Sequence, residues 1–355
     1  MNASNLRTSL LSFLLLAGAV ACSSNGTATQ SQAGEVNGST TEAGHAVVSS
    51  PLTAGLYQSA YSAKHDVIWA TAGVGRPPVK VSSLMKLDAK TLAVKATYTP
   101  PVTNPATGAV EAVYGVAVDD EHDTVWVTNT RDNSVAVYNQ ADGTHLKSLP
   151  NVEHSREVII DAAHDTAWIT AFTAGEVVGF DTTTYAEKAR IHVEGSGPTG
   201  LALDAATGTI YASDLAKSQL IVIKPGATEA TLVPTSPASG PISVALSNDG
   251  KTAYTADQAA GALSVISLEK GTVTKQIPTG AGALSVAVDH QTGKILVANR
   301  TAATVTIVDA SKLEVIEQLK TSANPNHVEI VNGVAVVLDK SGGGTAPDTI
   351  YGITL

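Results

Sequence analysis

Hydrophobic and polar positions along this chain fall into a unit that recurs about every 42 residues. Each copy reads small-apolar-apolar-apolar-Asp, then a polar turn, then an apolar run carrying a bulky ring. The copies are GVAVDDEHDTVWVTN from Gly115, EVIIDAAHDTAWITA from Glu157, GLALDAATGTIYASD from Gly200, SVALSNDGKTAYTAD from Ser243 and SVAVDHQTGKILVAN from Ser285. The last residue of the first run is Asp119, Asp161, Asp204, Ser247 and Asp289, at separations of 42, 43, 43 and 42. Seven residues further on stand Trp126, Trp168, Tyr211, Tyr254 and Leu296. An earlier copy, QSAYSAKHDVIWATA from Gln58, places Ser62 and Trp69 at the same spacing, with extra loop before the next unit. A later one, HVEIVNGVAVVLDK from His327, has its turn cut to Asn332-Gly333, a dipeptide favoured in two-residue hairpins.

Alternating apolar positions, β-branched enrichment and Gly, Asp or Asn at the turns make each unit a run of short strands. In the second unit the strands are expected near Gly115–Asp119, Val125–Asn129, Ser134–Asn139 and Leu146–Pro150. No stretch has a helical period. Four antiparallel strands every 40 to 50 residues are the signature of a β-propeller blade, which cannot bury both faces alone and stacks radially on its neighbours. Seven units predict an all-β, seven-bladed propeller over residues 45–355. Two positions before the register residue, on the innermost strand, stand Ala60, Ala117, Ile159, Ala202, Ala245, Ala287 and Glu329. Small residues fit the crowded axis. The seventh unit ends with its third strand, Asp348–Thr354, so a segment near Ala46–Ser50 is expected to supply the fourth and close the ring, removing exposed edges.

Ahead of the repeats, Arg7, the apolar run Leu10–Leu16 and Ala19-Val20-Ala21 precede Cys22, the one cysteine of the chain. Residues 1–21 are expected to be a signal peptide, too short for a spanning helix. The lone cysteine at the junction, in a stretch resembling a bacterial lipoprotein signal, predicts lipidation at Cys22. A Ser-, Thr- and Gly-rich flexible tether then covers 22–44. An exported protein on the outer membrane of a bacterium is the expectation, touching membrane only through the lipid, and with no second cysteine there is no intrachain disulfide.

Lys plus Arg total 22 against 32 Asp plus Glu, a formal charge of −10. That balance disfavours nonspecific nucleic-acid binding, which needs a net cationic field. No nucleophile motif, paired-acid arrangement, metal-ligand spacing or phosphate loop occurs. No cofactor, metal or catalytic residue is therefore assigned, and a binding scaffold for a protein or an anionic small ligand is the leading expectation.

The chain resembles the YVTN-repeat propellers, specifically YncE-like proteins. Trp126-Val127-Thr128-Asn129, Leu296-Val297-Ala298-Asn299, the opening Tyr57-Gln58-Ser59-Ala60-Tyr61-Ser62 with Ile68-Trp69-Ala70-Thr71, and the closing Asn324-Pro325-Asn326 with Asp348-Thr349-Ile350 carry the resemblance. It implies an exported seven-bladed propeller, and some relatives bind single-stranded DNA. Related repeats in sugar-lactonase propellers leave a hydrolase open, with His327, Glu329 or His154 as base beside an arginine.

In propellers, loops between second and third strands and the connections between blades surround one mouth of the channel. Here those segments carry Arg76, Arg131, Phe172, Lys217, Arg300 and Lys340, with His154, Arg156 and Asn326-His327. Apart from Arg7, only Arg190 among the arginines lies elsewhere. Arginine's planar fork suits carboxylate and phosphate, so the candidate ligand site is Arg76, Arg131, Arg156, Phe172, Arg300, His327, Glu329 and Lys340. The competing expectation pairs these arginines with Asp132, Asp214, Asp257 and Asp339. Glu329 is expected to bind a cation or pair with Arg156. His65, His122, His164 and His290 recur at the first hairpin on the opposite face as turn residues, and the Trp series is read as core.

Overall fold

A computed structural model describes residues 37–40 and 44–355. The expected signal peptide, Cys22 and most of the tether lie outside the described residues. The rest forms seven sheets, six of four strands and one of five. Their innermost strands, in chain order, are Leu56–Ser62, Val116–Asp119, Ser155–Asp161, Pro198–Asp204, Pro241–Leu246, Ala283–Asp289 and Pro325–Val331. Each neighbours the next and the last neighbours the first, so the sheets form a ring, numbered here as blades 1 to 7. Blade 2 continues outward through Thr124–Asn129, Ser134–Asn139 and His145–Pro150, within one residue of the strands expected. A small extra hairpin, Val102–Asn104 with Ala109–Val110, fills the long connection between blades 1 and 2.

The ring closes through the N-terminal strand. Ala46–Leu52 pairs with Asp348–Thr354 from Val47↔Ile353 to Leu52↔Asp348. Buried Asp348 accepts the backbone N–H of Gly55 at 2.7 Å, Leu56 at 2.9 Å and Gly342 at 2.9 Å, fastening blade 7 to the start of blade 1. Asn37–Thr40 then adds a fifth strand outside Ala46–Leu52, inside the stretch expected to be tether. The outer edge of Ala46–Leu52 would otherwise offer a row of unpaired backbone groups, which explains the difference.

Repeated residues build the blades. Asp119 accepts the N–H of Glu121 and His122, Asp204 that of Ala206 and Asp289 that of Gln291, each closing the first hairpin. Trp69 and Trp126 are fully enclosed. A ring so enclosed contributes on the order of 3–5 kcal/mol. Trp126 is capped by Tyr185 of blade 3, centroids 5.8 Å apart, as Tyr254 packs with Leu313 of blade 6 and Val336 with Leu92 of blade 1. These three caps sit in left-handed turn positions at φ 61, 55 and 60. Blade 4 has Pro225-Gly226 in its turn and no such cap, so Trp168 is only half-buried, against expectation, beside an outer groove shared with Ile191 and Ile223.

At the mouth end, neighbouring blades are tied by a repeated hydrogen bond: Thr71 Oγ1 donates to Tyr114 O, Thr128 Oγ1 to Arg156 O at 2.9 Å and Thr170 Oγ1 to Thr199 O at 2.9 Å. Six innermost strands also break register there, between Leu56 and Ser59, Ser155 and Val158, Pro198 and Leu201, Pro241 and Ser243, Ala283 and Ser285, and Pro325 and His327. A bulge re-aims side chains. Here consecutive residues reach the same cavity.

Candidate functional site

The bulged strand ends enclose a cavity of about 550 Å³ at the channel mouth. Its walls differ. Blades 4 to 6 supply Thr199, Ile242 and Leu284, with Ser243 and Ser285. These serine hydroxyls are already used, accepting the N–H of Val286 at 3.3 Å and Val328 at 3.2 Å in the next blade. Blades 1, 3 and 7 supply Tyr57 and Gln58, Arg156 and Glu157, and Asn326 and His327. Blade 2 has Gly115, where a Cβ would lie 2.2 Å from Arg156 O. Past that glycine Gln58 reaches from blade 1, accepting Val116 N–H at 3.1 Å and donating its amide to the Glu157 carboxylate.

Three cations meet around Tyr57. The Arg156 guanidinium donates to the Tyr57 hydroxyl at 3.5 Å and lies over the Phe172 ring at 5.7 Å. Lys340 Nζ sits over the face of Tyr57 at 5.3 Å, and Arg300 lines the same cavity. Among the described residues Arg190 is the one arginine with a carboxylate within 4.0 Å, from Glu176 and Glu187, so Arg156 and Arg300 have none. Burial pushes the Lys340 amine down to about 8, with the positive charge of Arg300 adding. Burial also lowers Arg300, and Arg156 contributes in the same direction.

The pairing of arginines with nearby acids does not occur, because those acids hold loops. Asp132 accepts Ala112 N–H at 2.9 Å; Asp214 takes Gly197 N–H and the Gln219 amide, both at 2.8 Å. Asp257 accepts from Thr255 and Ser264, and Asp339 from the N–H groups of Ala323 and Asn324. These donors engage carboxylate oxygens that a guanidinium would otherwise take.

Below the cations lie Glu157, His327 and Glu329. All three keep part of their surface on the channel while protein crowds them on the other sides. Burial raises Glu157 to about 7, against the Gln58 hydrogen bond and Arg156. Glu329 rises to about 7 by burial, opposed by the Ser59 hydroxyl beside it. Burial drives His327 down to about 4, so its imidazole is neutral near pH 7. The expected Glu329–Arg156 pair is not formed within 4.0 Å.

The structure therefore brings Arg156, Arg300, His327 and Glu329 onto one cavity, with Phe172 and Lys340 at its edge. Phe172 packs on His154, centroids 5.4 Å apart, and over Gly197, where a Cβ would meet it at 2.8 Å. Burial, Arg156 and Arg131 all lower His154. Arg131 lines a separate pocket of about 190 Å³ with Pro77, Pro78 and Asn104, and Arg76 and Lys217 are exposed away from the cavity lining. Sequence reasoning missed Tyr57, Gln58 and Glu157 as site residues. The signal for Gln58 and Glu157 was a second column, four residues before the register residue, which reads Gln58, Gly115, Glu157, Gly200, Ser243, Ser285 and His327; Tyr57 lies one position ahead of it.

On the opposite face, Glu121, His122 and Asp165 bring possible metal-ligand atoms within 4.8 Å of one another. His122 Nδ1 is 2.8 Å from Asp119 and its Nε2 3.2 Å from Thr183 Oγ1, so both ring nitrogens have partners within the protein.

No protein-family profile matches the chain, and no curated protein matches it in sequence. Solved structures do match in shape. Virginiamycin B lyase from Staphylococcus aureus superposes with a TM-score of 0.69 at 17% identity, covering 87% of this chain and 99% of the other. A Kuenenia stuttgartiensis hydrazine synthase chain gives 0.69 at 14%, covering 84% and 95%. A streptogramin B lyase gives 0.69 at 13%, covering 86% and 98%. At such identities the likeness shows the seven-bladed propeller fold alone.

Proposed function

We propose that this protein is an exported, lipid-anchored binding propeller of the YncE-like type, whose channel mouth takes a small anionic ligand. One observation carries the site: Arg156, Arg300 and Lys340 converge on Tyr57 above a cavity of about 550 Å³, with no carboxylate among the described residues bound to them. Like charges held together in a half-buried place repel, and an anion relieves that repulsion while filling a fork of donors. The quoted tetrapeptides support the family reading, and the apolar run Leu10–Leu16 with Ala19-Val20-Ala21 ahead of Cys22 supports export and an outer-membrane anchor.

Titration calorimetry with inorganic phosphate and a series of carboxylates tests the site. At least one probe is expected to bind, and the triple variant Arg156→Ala, Arg300→Ala, Lys340→Ala to weaken it by about 100-fold or more, two lost charge-assisted bonds at roughly 1.5–3 kcal/mol each. Unchanged affinity in the triple variant would refute the reading. Labelling with a radioactive fatty acid, absent in Cys22→Ser, tests the anchor.

Catalysis in the same cavity has one observation in its favour. Glu157 and Glu329 both titrate near 7 beside a neutral His327 and two arginines, the condition in which a carboxylate can exchange protons with a bound substrate. Turnover of lactones or esters, lost in Glu329→Ala, is the measurement that would establish it.

A further inference from the structure

Cations crowd one end of the cavity, and its blade 7 wall carries the opposite chemistry. Four lining residues, Arg300, Asn326, His327 and Glu329, each hold a polar atom shut off from solvent that has no hydrogen-bond partner among the described residues: Nε, Oδ1, Nε2 and Oε1. Buried polar atoms are nearly always hydrogen-bonded, so four gathered on one cavity mark a capacity for ligand. Asn326, His327 and Glu329 share one strand. The Asn326 amide is oriented by its Nδ2, which donates to Tyr57 O at 2.6 Å and leaves Oδ1 as the free acceptor. The Glu329 carboxylate accepts as well, and a neutral imidazole accepts at Nε2 when Nδ1 carries its proton. This wall calls for donors, whereas Arg156, Arg300 and Lys340 call for acceptors.

We propose that the cavity takes a zwitterion, with a carboxylate or phosphate end held by Arg156, Arg300 and Lys340 and an ammonium end held by Glu329, His327 and Asn326. The inference deepens the anion-binding reading and rests on it. An ammonium is specified rather than a hydroxyl because Glu329 stands where five blades carry alanine and, among the described residues, no cation lies within 4.0 Å of it. Glu157 is the lesser candidate, since it already takes the Gln58 amide. His327 and Glu329 alternate on the strand, so they face the same way with Cα atoms roughly 7 Å apart. Ile242 and Leu284, lining the same cavity from blades 5 and 6, suit a methylene stem.

Three probes decide the matter by calorimetry near neutral pH: hexanoate, 6-aminohexanoate and 1,6-diaminohexane, with calcium and inorganic phosphate as further arms. The aminohexanoate is expected to bind about tenfold or more tightly than hexanoate. Glu329→Ala is expected to abolish that advantage and leave hexanoate within about twofold, because a charge partner of one end only is removed. Alanine is what five blades accept there, so folding is not at stake, and Glu329→Gln repeats the test with the shape kept. Glu157→Gln is expected to retain the advantage. Equal affinity for hexanoate and aminohexanoate, or equal affinity for the diamine or calcium alone, would overturn the zwitterion and leave the anion site standing. Failure of every carboxylate and of phosphate would overturn both.

Discussion

The two faces of the ring treat charge in opposite ways. On the face of the first hairpins, Lys64 and His65 share Asp123 at 2.7 and 2.8 Å, His122 and His164 rest on Asp119 and Asp161 at 2.8 Å, and His290 is bonded to Asn248. At the mouth, the nearby acids are engaged by loop donors, while Arg156 and Arg300 line the cavity and Lys340 sits at its edge over Tyr57, none with a carboxylate partner among the described residues. The first face follows the repeat and serves folding. The second departs from it, and charge left unpaired there is charge kept for something else.

The largest expected effect separates the faces outright. The mouth triple variant should lose about 100-fold in anion affinity yet keep or slightly gain thermal stability, because mutual repulsion is removed. A fall in stability comparable to the loss in binding would make the mouth a structural feature like the other face.

Next in size is the reverse experiment. Asp119→Ala strips acceptors from two backbone N–H groups and from His122, and is expected to cost about 2 kcal/mol in urea unfolding with ligand affinity unchanged. Loss of affinity would mean that the faces are coupled through the blade.

Titration of stability distinguishes them further. Glu157 and Glu329, raised to about 7 in the fold, bind more protons there than in the unfolded chain, so stability falls as pH rises from the ordinary glutamate range to about 7, the two together outweighing the opposite slope of His327, lowered to about 4. Lys340, lowered to about 8, releases its proton earlier in the fold, so stability recovers as pH climbs from about 8 toward the ordinary lysine range. The mouth thus produces a stability minimum between about 7 and 8, on the order of 1–3 kcal/mol deep, shallower in Glu329→Ala. Carboxylates of the hairpin turns behave oppositely. Asp120 is lowered by Ser62, Gln140 and backbone donors despite burial, and Asp289 by Thr292 and its turn, so their contribution is lost only in acid. Thermal melts from about pH 2 to pH 10 in Glu329→Ala and in the unaltered protein check both windows. The smallest effect is expected from Lys64→Ala, an exposed pair, with a melting-temperature change of at most about 1–2 °C.

The fold was legible because its information is periodic. Spacing placed every blade, and the missing fourth strand pointed to Ala46–Ser50. The Trp168 environment was not legible, since it depends on a cap that blade 4 lacks at Pro225-Gly226. The site was legible only in part. Arg156 and Arg300 stood out by position, but a loop arginine carries no sign of its direction, so Arg131 and Arg76 looked equivalent and are not. Tyr57, Gln58 and Glu157 reach the cavity because the strand bulges, and two consecutive inward residues contradict simple alternation.

The strand that closes the ring also fixes how the domain bears mechanical load. A pull on the chain ahead of Asn37 acts first on the Asn37–Thr40 hairpin and then on the ladder from Val47↔Ile353 to Leu52↔Asp348. Both open from the end where the force enters, so their bonds yield one after another rather than together. Blades 1 to 6 lie off that path. Under tension the seam therefore opens from Val47↔Ile353 toward Leu52↔Asp348 before the other blades bear load.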